Sequence, residues 1–390
     1  MIERQTSKCK YIVGPVKQFN QKNEMYKRAR WDESVKYMGD SLYGVMPTKE
    51  KEGYTLLDRA FQNAGWYLEM AYAHGIVIHG TDLFSWKKQP ADCMRIPKGL
   101  KYNVSDPVDM TKKIKGVTKW LGASLVGVCE LDSRWIYSHY YHLVTGDHGP
   151  LETPEECRFA IAIAVEEEYF SIKTSPVEIG SGGTGLGYSH MAFVAGSLAH
   201  FIRDLGYTAL ASGNDTALSI PIAIDAGLGE LGRNGLLITK KYGPRVRLCK
   251  IVTDLPLVPD KPIEFGVSEF CNVCRKCAEK CPGQAIQHGD RTSEAINISN
   301  NAGVLKWPVD AEKCLGFWSK TTSCTNCMRV CSFNKPEGWL HDKVRSFIKH
   351  TPWMNRAFVS LDSMFGYDRQ LSATEFWEKI AADAADEKYD

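Results

Sequence analysis

The chain has 390 residues, 44% hydrophobic and 24% charged, a balance that suits a soluble globular protein with one large core or two to three ordinary ones. A formal net charge of +2 creates no field that would draw in nucleic acid or an anionic membrane face. No apolar run approaches the roughly eighteen residues of a spanning helix, and the opening MIERQTSKCKYIVG has neither an apolar stretch nor twin arginines, so it does not read as a signal sequence.

In chain order, residues 1–50 are polar and aromatic with little periodicity, as expected of an extended arm wrapping a core. Leu57, Phe61, Ala64, Leu68 and Ala71 recur at helical spacing. Asp106-Pro107 opens a second helix, striped by Met110, Ile114, Val117 and Leu121. Residues 124–131 and 158–165 read as buried strands, and the aromatic run WIYSHYYH (135–142) between them as helix and core packing. GSGGTGLG (180–187) reads as a glycine-dense loop leading into a helix striped by Met191, Ala195, Leu198, Ile202 and Leu205. A strand is predicted at 208–213 and a helix at 219–228. LLIT (236–239) and VRLCKIVTDL (246–255) read as two strands joined by the turn KKYGP. Alternating strands and helices to about residue 255 argue for an α/β core. The proline-rich PLVPDKP (256–262) then leads into a cysteine-rich segment, and ordinary composition returns from Trp339. The expected units are an arm (1–50), a core (51–255), a cluster domain (263–338) and a C-terminal segment packed on the core (339–390).

Eight of the thirteen cysteines lie between 271 and 331, in spacings suited to metal rather than to disulfides. Cys9, Cys93, Cys129, Cys157 and Cys249 are dispersed and read as small buried hydrophobes. Cys271, Cys274, Cys277 and Cys281, with Pro282, spell C-x2-C-x2-C-x3-C-P, the run of bacterial two-cluster ferredoxins, in which the fourth cysteine serves the other cluster. A second group, Cys314, Cys324, Cys327 and Cys331, supplies the counterpart. Cross-ligation gives one [4Fe-4S] cluster on Cys271, Cys274, Cys277 and Cys331, and another on Cys281, Cys314, Cys324 and Cys327. Two four-thiolate zinc sites are the alternative, disfavoured by the order of the eight ligands and the Cys-Pro ending.

Gly227, Gly229 and Gly232 in GLGELG match the dinucleotide fingerprint in the wrong setting, because a helix precedes them and a strand follows. GSGGTGLG lacks the lysine of a phosphate loop. Both stretches read either as simple turns or as places where backbone closely approaches a large flat ligand.

GTGLGYSHMA, ALASGNDTALSIPIAIDAGLGELGRNGLLITKKYGPRVRL and the double ferredoxin motif together resemble the reductive dehalogenases of organohalide respiration, with similarity from about Trp31 to Gly366. The resemblance implies a nitroreductase-like α+β core that buries a corrinoid (cobalamin) cofactor, beside a ferredoxin-like domain with two [4Fe-4S] clusters. It implies reductive removal of halide from a small organohalide, with electrons from an external donor, either a quinol chain or a ferredoxin-like protein. It also implies a twin-arginine leader, a place on the outer face of the cytoplasmic membrane, a small integral-membrane anchor protein and a possible homodimer. The leader is missing here, so the chain reads as a processed or truncated form, cytoplasmic if native as written.

Carried onto this sequence, the family's tyrosine proton donor falls on Tyr188, its partner arginine on Arg247 and a pocket asparagine on Asn214. Arg245 is the rival for the arginine. Thr184 and Trp318 align with pocket positions, and Phe19, Tyr26 and Trp31 are expected to close the pocket. A buried cation beside a phenol favours phenolate and eases proton release. No D-x-H-x-x-G string offers a histidine to cobalt, and Asp147-His148 has the wrong spacing, which favours a base-off corrinoid with no protein ligand. The aromatic pocket leans toward one- or two-carbon chlorinated substrates. The alternatives are epoxyqueuosine reductase, which acts on tRNA and uses an aspartate where Tyr188 falls, and a non-catalytic electron carrier or corrinoid-binding protein.

Overall fold

The computed structural model describes residues 10–44, 47–73, 82–87, 96–97, 99–336 and 338–386. Cys9 and Cys93 lie outside them. The arm is partly helical rather than extended, with one 3-10 turn (Gln21–Asn23) and two short helices, α1 (Met25–Arg28) and α2 (Lys36–Tyr43). Buried Arg28, held by Asp32 of the same arm at 2.7 Å, ties it down through Glu312 at 2.6 Å. α3 (Leu56–Tyr72) starts at a capping box of Thr55 and Asp58. α4 (Pro107–Trp120) starts at the Asp106 cap with proline in its first turn.

There follow β1 (Leu125–Glu130), β2 (His139–Tyr141), β3 (His148–Pro150), β4 (Phe159–Glu166), α5 (Tyr169–Lys173), α6 (Glu178–Asp204), β5 (Ala209–Ser212), α7 (Ser219–Asp225), β6 (Glu230–Leu231), β7 (Leu237–Ile238) and β8 (Val246–Thr253). The cysteine segment carries α8 (Val267–Val273), α9 (Lys276–Glu279), α10 (Ala311–Thr321) and α11 (Asn326–Arg329). The tail carries α12 (Trp339–His350), α13 (Asn355–Met364) and α14 (Ala373–Asp386).

The central sheet has the order β1-β4-β8-β5, and every pairing is antiparallel. The core is therefore α+β. Its strands are mostly apolar because both faces are covered. Along β4, Ala160, Ala162 and Ala164 join a cluster with Ile222, Ala223 and Ile224 of α7. Ile161, Ile163 and Val165 join the opposite cluster with Met191, Ala195, Leu198 and Ile202 of α6.

Four expectations change in detail. The glycine-dense "loop" 180–187 is the first half of α6. The α3 face predicted to be buried is turned outward at Leu57, Ala64 and Ala71, while Asp58, Gly65 and Glu69 face inward. LLIT pairs with Glu230–Leu231, not with the strand after KKYGP. The aromatic run is a 3-10 turn ending at Trp135 followed by β2, not a helix. GLGELG turns out of α7, with Gly227 at φ 74°, into the β6–β7 hairpin, so it opens no nucleotide-binding helix.

The tail returns to the body at two places. Phe358 and Val359 of α13 pack on the cluster that contains Phe270 and Cys271, and Phe376 of α14 meets Phe61 of α3 at a ring separation of 5.3 Å.

Candidate active site

A cavity of about 990 Å³ opens beside the sheet, walled by Tyr26 of α1, Trp66 of α3, Tyr137, Tyr188 of α6, Asn214, Arg247 of β8, Trp318 of α10 and Met328 of α11. The glycines of α6 shape this wall. A Cβ on Gly182 would sit 2.6 Å from the Phe61 ring, and one on Gly185 would sit 2.5 Å from the Trp66 indole. Their absence lets α3 lie against α6, so Trp66 stacks on Tyr188 with ring centroids 5.0 Å apart and planes 25° apart. Backbone does approach closely here, but what it approaches is a neighbouring helix.

Strand alternation aims the arginine. Arg247 shares the α6 face of β8 with Cys249 and Ile251, and its guanidinium lies 5.0 Å over the Tyr188 ring. Arg245 is instead buried among Glu166, Asn334 and the Glu167 carbonyl, away from the Tyr188 ring. Asn214 Nδ2 donates to Tyr188 Oη at 2.9 Å, leaving the phenolic hydrogen free for another acceptor.

Behind Arg247 stands Glu167, fully buried. It accepts from Arg247 Nε and from Thr184 Oγ1, each at 3.0 Å. Burial disfavours the Arg247 charge, but Glu167 outweighs it and holds the guanidinium cationic. A Cβ on Gly187 would come 2.9 Å from Arg247 Cγ and 3.1 Å from Glu167 Cγ. One face of α6 thus provides a hydroxyl (Thr184), room for the ion pair (Gly187) and the phenol (Tyr188).

The segment carrying Asn214 is pinned at both ends by Lys250, which is fully buried and donates to the Gly213 carbonyl at 2.5 Å and to Ser219 Oγ at 3.0 Å. Burial pushes the Lys250 ammonium down to about 7. Asp215 of the same segment accepts from Gln21 and Lys27 of the arm at 2.7 and 2.9 Å.

Three sequence-predicted residues fall elsewhere. Thr184 lies behind the wall, its hydroxyl committed to Glu167. Phe19 packs on Tyr137 at 6.3 Å and is not among the cavity-lining residues. Of the other arm aromatics, Tyr26 reaches the cavity and meets Trp318 edge-on at 5.9 Å. Trp31 instead donates to the Lys22 carbonyl. Sequence reasoning missed Trp66, Glu167 and Lys250. Trp66 lies off the apolar stripe, Glu167 is one of three consecutive glutamates, and Lys250 is a cation in the middle of an otherwise apolar run, LCKIV. That last anomaly was the readable one.

The eight cysteines form two neighbourhoods. Cys271 is acted on by Cys331 and Cys274, and Cys277 by Cys271, Cys331, Cys327 and Cys274. Cys314 is acted on by Cys324 and Cys281, and Cys327 by Cys324, Cys314, Cys281 and Cys331. These influences run mostly within the quartets expected from cross-ligation, while Cys277, Cys327 and Cys331 also act across them. Burial, then the neighbouring sulfurs, push Cys314 up to about 12 and Cys324 up to about 11. Such thiols become thiolates only where a cation replaces the proton. The second quartet adjoins the cavity: Trp318 Nε1 donates to the Cys324 carbonyl at 2.9 Å, and Arg247 Nη2 reaches Met328 Sδ at 3.9 Å.

Residues 270–334 match the 4Fe-4S double cluster binding domain family. A tetrachloroethene reductive dehalogenase of Desulfitobacterium hafniense is 35% identical over 85% of this chain and 72% of its own. That of Sulfurospirillum multivorans is 33% identical over 89% and 75%. The chain belongs to the reductive dehalogenases. It is thus an oxidoreductase of a corrinoid-dependent family, with an iron–sulfur double-cluster domain. A solved reductive dehalogenase shares the fold, with a TM-score of 0.72 at 23% identity, covering 94% of this chain; the chain spans about half (49%) of that protein's length. An epoxyqueuosine reductase of Lactococcus garvieae is 28% identical over only 34% of the chain.

The dehalogenase cavity fits a corrinoid. Its volume lies at the upper end for ligand sites. Gln62 Oε1 and Thr216 Oγ1 are buried on its wall without a hydrogen-bond partner, as suits acceptors facing an amide-rimmed macrocycle. His142 is the one histidine among the described lining residues, and its Nδ1 already accepts from the Thr145 N–H at 2.9 Å. No helix among the described residues is long and apolar enough to cross a membrane.

Proposed function

We propose that this reductive dehalogenase removes halide from a small organohalide, a chlorinated ethene or alkane, by two-electron reduction, with Tyr188 as proton donor. When bound, a base-off corrinoid without a histidine ligand supplies the low-valent cobalt at which the carbon–halogen bond is reduced. The two cysteine quartets would hold [4Fe-4S] clusters that deliver electrons singly, the second quartet lying beside the cavity. Tyr188 Oη gives its proton to the carbon that loses halide. Arg247, over the ring, stabilises the phenolate that forms. Asn214 keeps the hydroxyl oriented by donating to its oxygen. Trp66, Tyr137 and Trp318 exclude water and shape a slot for a small apolar substrate. The external donor, export and membrane-anchor docking of the family belong to this proposal.

The observation that carries it is the Asn214–Tyr188–Arg247 constellation on an aromatic wall that also abuts the cluster cysteines. The test is chloride release from tetrachloroethene, trichloroethene and chloroform by the protein reconstituted with cobalamin and iron–sulfur, using reduced methyl viologen. Tyr188→Phe should lose most of the turnover, about 10²-fold or more, with cofactor spectra unchanged. Turnover of epoxyqueuosine tRNA with no halide release from any organohalide overturns the reading. Full activity in Tyr188→Phe overturns the proton donor alone.

A further inference from the structure

A second buried charge cluster lies away from the cavity, against the first cysteine quartet. Lys276, two residues after Cys274, is 5% exposed. It pairs with Asp362 Oδ2 and, at 3.0 Å, with Asp368. Lys335, four residues after Cys331, pairs with Asp362 Oδ1 and lies 4.0 Å over the Tyr367 ring. Ser332 Oγ donates to Asp362 Oδ2 at 3.2 Å and stands 3.7 Å from Cys274 Sγ. Asp362 is 6% exposed and comes from α13, outside the 270–334 double-cluster region.

Two ammonium groups thus face two carboxylates, with the shared carboxylate one hydroxyl away from a ligand sulfur. Buried Arg233 also adjoins this quartet, its Nε donating to the Cys271 carbonyl at 3.0 Å. The second quartet has different charged neighbours, Asp310 by Cys314 and Arg329 by Cys324. A cluster gains negative charge when reduced. A carboxylate nearby opposes that change and a cation favours it, most strongly where water is excluded.

We infer that Asp362, balanced by Lys276 and Lys335 and relayed by Ser332, sets the reduction potential of the cluster on Cys271, Cys274, Cys277 and Cys331, and leaves the other cluster alone. It is a positioning and tuning residue that touches neither substrate nor corrinoid. The inference rests on the two-cluster reading. Through it, a residue of the tail adjusts one step of the electron path without contact with the cavity.

The test is a redox titration of the full reconstituted chain followed by electron paramagnetic resonance, with Cys281→Ser identifying the second quartet's signal. Asp362→Asn removes the anion with little change of shape and should raise the potential of the first cluster only. Lys335→Gln removes a cation and should lower that same potential. Lys335 is the more peripheral residue, so this variant carries the test if Asp362→Asn does not fold. Unshifted potentials, equal shifts in both clusters, or shifts of the same sign in the two variants overturn the inference while the two-cluster reading stands. Iron and sulfide analysis that finds fewer than two clusters overturns the two-cluster reading itself.

Discussion

Lys250 lies in the middle of β8 with no exposed surface, on the face opposite Arg247, and its ammonium holds both ends of the segment that presents Asn214 to Tyr188. Its position is costly, because burial pushes it from its ordinary 10.5 down to about 7, opposed only in part by Asp215. The folded chain therefore binds fewer protons at this site than the unfolded chain between about pH 7 and 10.5. In that window stability rises with pH, and below it the full penalty remains. Lys250→Met should flatten that rise, so that the thermal midpoint of wild type minus variant climbs from pH 7 to pH 10. The same substitution frees the Gly213 carbonyl and should lower turnover by loosening Asn214. A pH-independent difference in midpoint would show that Lys250 stays charged.

At the scale of elements, the helix stripe Met191–Leu198–Ile202 was legible because a spacing of three to four survives any tertiary context. The eight residues before it were not, because dense glycine reads as loop on propensity alone. The close approach of α3 overrides that propensity, and only the three-dimensional neighbour shows it. The same logic explains the misplaced face of α3: Gly65, Ser181 and Ser189 make a tight, partly polar contact that an apolar stripe cannot signal. β4 and β8 were legible as buried strands, but apolar runs carry no pairing direction, so the antiparallel order was not legible. Gly185→Ala tests the helix contact. The added Cβ meets the Trp66 indole at 2.5 Å, and overpacking of this kind costs about 1–3 kcal/mol. Trp66 should leave the Tyr188 ring, giving a lower thermal midpoint, an altered near-ultraviolet circular dichroism and reduced turnover. Iron content should stay at wild-type level, since α6 supplies no cluster cysteine.

Across the whole molecule, the tail, cluster region and core interlock. α13 brings Asp362 to the first quartet, the second quartet abuts the cavity, and the arm closes the same cavity through Tyr26 and Lys27. Cysteine order alone raises the expectation of cross-ligation, whereas the contribution of the tail lies outside every motif. The interleaving has a consequence that single-site reasoning would miss. If Cys331 serves the cluster of Cys271, Cys274 and Cys277, then Cys331→Ser and Cys271→Ser damage one and the same cluster. Each should cost about four of eight irons, and the double variant should lose no more than either alone. Cys331→Ser combined with Cys314→Ser should instead lose both clusters and nearly all iron. Sequential ligation, in which Cys331 pairs with Cys314, Cys324 and Cys327, predicts the reverse: the Cys331–Cys314 double variant would keep about four irons and the Cys331–Cys271 double variant almost none. Iron and sulfide counts on the two double variants therefore decide between the topologies, whether or not any dehalogenation survives.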